Sequence, residues 1–225
     1  MTVILVFDLD DTLYPERQFA LSGFAAADRW AQTALGVTGL AADLTRLLDQ
    51  GHLGQVFRLA LAERVPDHRP EHVDGLIEAY RSHVPRLTLF EDAAWALSHF
   101  GGHTKLGLIT DGSHGVQQSK VEALGVATHF HHIVYTGSLG RAFFKPHRQG
   151  YELIAAALGS GKERFVYVGD NPAKDFVAPN ALGWVSVMVD RPGVKRIHAA
   201  ATAAPDGAPQ HTVRSLTELP AVLKL

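Results

Sequence analysis

The chain has 225 residues, 46% of them hydrophobic and 20% charged, enough apolar material for one full core with room for an insert. Its 21 Lys and Arg against 23 Asp and Glu give a formal charge of −2 without a basic stripe for a polyanion, so nucleic acid is not an expected partner. The absence of cysteine excludes disulfides, thiolate metal sites and a cysteine nucleophile. No apolar run is long enough for a membrane span, and with no basic, apolar leader at its start the chain is expected in the cytoplasm.

The first predicted element is the strand "VILVF" at 3–7, followed by "KLGLI" at 105–109, "HIVYT" at 132–136, "RFVYVG" at 164–169 and "VSVMV" at 185–189. Each is nearly continuous in apolar residues, the pattern of parallel strands buried on both faces. Helices are predicted between them at 91–100, 114–124, 147–158 and 173–182, several closed by a glycine. This alternation predicts an α/β fold with a doubly wound, mostly parallel sheet. One stretch departs from it. Residues 15–89 hold only helical patterns, among them "RQFALSGFAAADRWAQTAL" and "PEHVDGLIEAYRSHV", and predict an inserted α-helical cap subdomain, with the core in 1–14 and 90–225. The insert enters beside an acidic cluster, so it is expected to act as a lid that opens and closes. The Ala-rich stretch at 198–209, punctuated by Pro205, Gly207 and Pro209, predicts a mobile loop.

Open α/β sheets place their chemistry at the carboxyl ends of the strands. The first strand runs into Asp8, Asp10, Asp11 and Thr12; the second ends in Thr110, Asp111 and Gly112; Lys145 follows the third; the fourth gives Asp170, with Asp175 close behind in "GDNPAKD". Crowded carboxylates repel one another and resist burial, so a cation is expected among them. Any one Asp after a strand is as readily a turn former or helix cap. Independent turn residues, however, have no reason to supply acids, a hydroxyl and a lysine to one edge of one sheet. The "HFHH" at 129–132 lies before a strand, on the opposite edge, and is expected to be a solvated turn. Ser113 is a candidate N-cap, and His114 and Gln18 are weaker candidates for substrate contact. Phe19, Phe24 and Trp30 have helical spacing and predict core, as does Trp184.

In this order, "DLDDT", "LIT" before "DG", "KP" and "GDNPAKD" resemble the four motifs of the haloacid dehalogenase superfamily, and the helical insert is similar to that superfamily's cap. The resemblance implies a HAD-like core and, because Asp10 occupies a position that phosphohydrolases share and dehalogenases lack, a phosphatase rather than a dehalogenase. It implies hydrolysis of a small-molecule phosphate monoester, a sugar phosphate or nucleoside monophosphate, through an aspartyl phosphate on Asp8. Mg2+ is the implied cofactor, held by Asp8, Asp170 and the backbone carbonyl of Asp10. Asp10 is the implied general acid and base, with a pKa that its neighbours should raise. Thr110, Asp111 and Gly112 would bind phosphate at a helix start, Lys145 would offset charge on the phosphoryl group, and Asp175 and Thr12 would support these from behind. Arg17 is a candidate for substrate recognition. Receiver domains share the acidic pair, the Thr and the "KP", but they need a phosphoacceptor Asp ending a middle strand, and 45–60 contains no such strand. A non-catalytic protein on this fold would be expected to lack the first Asp or the lysine.

Overall fold

The computed structural model describes residues 2–197 and 202–224. The first elements are β1 (Val3–Phe7), α1 (Glu16–Leu35), α2 (Leu40–Asp49), α3 (Val56–Arg64), α4 (Pro70–Ser82) and α5 (Glu91–Gly101). There follow β2 (Lys105–Thr110), α6 (His114–Leu124), β3 (His132–Tyr135), α7 (Gln149–Leu158), β4 (Arg164–Gly169), α8 (Val177–Ala181), β5 (Val185–Val189), β6 (His211–Val213) and α9 (Leu219–Leu223). Two compact units result, one of Met1–Pro15 with Thr88–Leu225, the other of Glu16–Leu87.

The first unit is an α/β sheet in the order β3-β2-β1-β4-β5-β6, with every neighbouring pair parallel. All five residues of β1 are buried, which is why its sequence does not alternate. The strand order reverses at β1, since β2 lies on one side and β4 on the other, and ligand crevices form at such switch points. The ladder runs one residue past β1, through Asp8 N–H to the Val168 carbonyl at 2.9 Å. Beneath this edge Ile4, Val6, Ile109, Tyr151, Ile154, Tyr167, Phe176 and Trp184 form a buried cluster. Trp184 stacks on Phe165 at 4.5 Å and packs the sheet as expected.

The second unit is four helices. Phe19 and Phe24 of α1 are buried among Phe57, Tyr80 and His83, with ring centroids 4.9–6.0 Å apart, whereas Trp30 is half-buried. The start of α2 is capped from outside, by Asp28 Oδ1 accepting from Leu40 N–H at 2.7 Å.

Three expectations are corrected. The sixth strand, β6, was not expected: at three residues its "HTV" is too short to show a period. The helix expected at 173–182 is only α8, because residues before it form a turn in which Asp175 N–H bonds the Asn171 carbonyl while the Asp175 carboxylate accepts from Asn171 N–H at 2.8 Å. Of the loop expected at 198–209, residues 198–201 lie outside the described residues, and the remainder is anchored by Asn180 Nδ2, which donates to the carbonyls of Asp206 and Ala208. No described helix is long and apolar enough to cross a membrane.

Candidate active site

The segments after β1, β2, β3 and β4 of the α/β unit bring the sequence motifs together. Asp8 is 3% exposed and accepts from the Lys145 ammonium at 2.5 Å and from Thr12 Oγ1 at 3.4 Å. The same ammonium donates to Asp175 Oδ1 at 2.8 Å and to Tyr167 OH at 3.1 Å, so its three donors are all used. A buried ion pair of this kind is favourable only when each remaining donor and acceptor finds a partner. Burial lowers the Lys145 affinity for a proton, but Asp175 and Asp8 outweigh it and hold the lysine well above its ordinary range. Burial pushes the Asp8 carboxyl up to about 6 against the pull of Lys145, and burial with Asp175, Asp8 and Asp11 nearby pushes Asp170 well up. Asp175 is also buried, yet Lys145 and Lys174 hold its carboxyl below the ordinary value.

The turn after β2 forms the next wall. Thr110 is fully buried, Gly112 has φ 133°, a conformation side chains rarely adopt, and the helix α6 starts directly behind them. The Asp111 carboxylate ties this turn to the segment after β3: its Oδ1 accepts from Thr136 Oγ1 at 2.8 Å and from Lys145 N–H at 3.1 Å. Ser113 stands at the cap position of α6, but its hydroxyl makes no capping bond. His114 bonds Ser138 Oγ at 2.7 Å through Nδ1.

Asp10 differs from its expected state. Both its oxygens are bonded, Oδ1 by Tyr14 OH at 2.5 Å and Lys120 Nζ at 2.7 Å, Oδ2 by Gln117 Nε2 at 2.8 Å. Burial pushes its carboxyl up, but the Lys120 charge and the hydrogen bonds from Lys120, Tyr14 and Gln117 outweigh burial and bring it below the usual value, so the expectation that its neighbours raise its pKa is corrected. Arg17 is ion-paired to Asp49 at 2.6 Å within the helical unit.

Carboxylate oxygens of Asp8, Asp170 and Asp175 lie within 4.8 Å of one another, all buried. The Arg196 guanidinium lies 3.8 Å from the Asp170 carboxylate. A hard divalent cation suits such an all-oxygen donor set, and its charge would offset the crowding that pushes Asp170 up. The residues present therefore fit a metal such as Mg2+. Among the described residues no comparable group forms at 129–132, where the His131 ring accepts from Leu106 N–H instead.

Sequence reasoning missed Tyr14, Gln117, Lys120, Tyr167 and Arg191. The Arg191 guanidinium bonds both oxygens of Asp92 and the carbonyls of Asp11 and Thr12, and lies 4.0 Å from the Phe90 ring centroid. It thus fixes the turn at Asp11, where φ is 55°. A signal existed for one pair only: Gln117 and Lys120 are polar residues on the stripe of α6 that also carries buried Val121.

A family model of the haloacid dehalogenase-like hydrolases matches residues 3–183. The chain belongs to that family. This haloacid dehalogenase-like hydrolase is 30% identical over 204 residues to the glyceraldehyde 3-phosphate phosphatase of Methanopyrus kandleri, covering 85% of each chain. It is 28% identical to the phosphoserine phosphatase of Thermus thermophilus, over 84% of this chain and 88% of that one. Among solved structures, the HAD-hydrolase YfnB from Bacillus subtilis, bound to magnesium, superposes with a TM-score of 0.66 at 16% identity, covering 100% of this chain and 99% of the other. The family match makes the chain a hydrolase, and the last likeness shows its fold.

Proposed function

We propose that this hydrolase is a Mg2+-dependent phosphatase that cleaves small phosphate monoesters through an aspartyl phosphate on Asp8. The observation that carries the reading is the pairing of a buried Asp8, clamped by Lys145 at 2.5 Å, with a second carboxylate, Asp10, two residues on. Phosphatase names on the curated relatives support the reaction class, and the glyceraldehyde 3-phosphate and phosphoserine in two of those names favour small phosphate esters over large ones.

The cation, when bound by Asp8, Asp170 and the Asp10 carbonyl, supplies the positive charge that lets an anion approach a phosphate. Thr110 and the N–H groups of Asp111 and Gly112 hold phosphate oxygens at the start of α6. One Asp8 oxygen attacks phosphorus, the ester P–O bond breaks, and the leaving oxygen takes a proton from the Asp10 carboxyl. Water then attacks the phosphorus, gives its proton to Asp10, and the P–O bond to Asp8 breaks. The arriving phosphate places negative charge beside Asp10 and pushes its carboxyl back up, which equips it for the first step. Lys145, held by Asp175 and Tyr167, offsets charge on the phosphoryl group. The helical unit is the cap that selects the ester, and Arg17 is one of its candidates for recognition. A small-molecule ester is the partner implied.

The test is phosphate release from a panel of monoesters, with Mg2+ and with chelator. Wild type releases phosphate only with metal, best from small sugar phosphates or nucleoside monophosphates, and Asp8→Asn releases none while staying folded. Halide release from 2-haloacids without phosphate release would contradict the reading.

A further inference from the structure

Lys120 stands on α6 with 5% of its side chain exposed, outside all four motifs. Burying an ammonium is costly unless it is paired and bonded, so its partners point to its task. Among them is Asp10 Oδ1, at 2.7 Å. One turn earlier on the same helix face, Gln117 Nε2 donates to Asp10 Oδ2 at 2.8 Å and to Thr110 Oγ1 at 2.5 Å. An ionised carboxylate only accepts, so Gln117 must present its NH2 to Asp10, and its two N–H donors then serve the two partners. Tyr14 OH reaches Oδ1 at 2.5 Å. The helix whose start carries the phosphate-binding turn therefore also grips the Asp10 carboxylate.

We propose that Lys120 and Gln117 are positioning residues for hydrolysis, fixing the Asp10 carboxyl relative to the phosphoryl group bound at Thr110. This rests on the phosphatase reading above. With one amide shared between Thr110 and Asp10, the acid is held in register with the phosphate. Both proton transfers then run over a set distance: from Asp10 to the leaving oxygen as the ester bond breaks, and from water to Asp10 as the Asp8–phosphorus bond breaks. A misplacement of about 1 Å in such a group can cost on the order of 100-fold in rate.

The two transfers can be separated by leaving group. The p-nitrophenolate ion departs without a proton, whereas the alkoxide of glycerol phosphate requires one, and kcat/KM reports only the step up to departure. The experiment measures kcat and kcat/KM on both esters for wild type, Lys120→Met, Lys120→Arg and Gln117→Leu, with thermal melts. In Lys120→Met, kcat/KM for glycerol phosphate is expected to fall on the order of 100-fold, while that for p-nitrophenyl phosphate changes only a few-fold. A burst of p-nitrophenolate then precedes slow turnover, because water attack has become limiting. Lys120→Arg restores part of the loss, and Gln117→Leu shows the same split, which keeps the test decisive if Lys120→Met does not fold. Equal losses on both esters without a burst, or unchanged kinetics in folded variants, would overturn the proposal. If wild type hydrolyses neither ester, or Asp8→Asn remains active, it is the phosphatase reading that fails.

Discussion

Lys145 has no exposed side-chain surface and three oxygen partners, Asp8, Asp175 and Tyr167. Replacing it with Met would leave two buried carboxylates without their cation, and breaking a buried pair from one side costs about 3–5 kcal/mol. Lys145→Met is therefore expected to lower the denaturation midpoint markedly and to abolish turnover. Full stability in urea melts would show that the ammonium is not what holds Asp8 and Asp175. The acids and the lysine were legible in the sequence because each follows a strand, where the fold brings strand ends together. Arg191 was not, because its partners Asp92, Asp11 and Thr12 lie 99 to 180 positions away in the chain, and Gln117 and Lys120 showed only as polar residues on one helix stripe, their shared partner Asp10 lying 107 and 110 positions away. No local pattern records that Arg191 binds the carbonyls of Asp11 and Thr12.

Strands β1, β4 and β5 were legible to the residue, since burial on both faces leaves an unbroken apolar run. The pieces that escaped, β6 and the shortened α8, take their shape from hydrogen bonds to distant segments or to the Asp175 side chain. The same holds for the approach of the short 3-10 turn Thr136–Ser138 to the turn after β2, where a Cβ added at Gly137 would collide with the Gly112 carbonyl and the His114 nitrogen. The backbone on both sides has no flexible atom to yield. Gly137→Ala is expected to cost about 1–3 kcal/mol as overpacking and, by displacing Gly112, to raise KM for phosphate esters. Unchanged KM and unchanged melting would show that the two turns can separate freely.

At the scale of the whole molecule, one α/β unit carries every motif residue and a second, helical unit is inserted after the first motif. Stability of the α/β unit should be tied to pH and metal through its acids. Asp8 moves from an ordinary 3.8 to about 6, and Asp170 is raised as well. A carboxyl raised on folding contributes stability that is complete below its unfolded value and fades as pH rises through its folded one, here towards about 6. Without metal the protein thus loses stability over that window. Ligation requires both carboxylates ionised, so binding releases protons and strengthens as pH rises. Mg2+ is expected to raise Tm more at about pH 7.5 than at about pH 5, and calorimetry in buffers of different ionisation enthalpy should show the released protons. Equal affinity at both values would contradict this. The central claim, that Asp8 carries the phosphoryl group, is tested most directly by quenching the enzyme during turnover and reducing it with borohydride. That reagent converts an acyl phosphate to an alcohol, which peptide mass spectrometry locates. The account predicts reduction at Asp8 and at no other carboxylate; no reduction under turnover, or reduction at another acid, would contradict it.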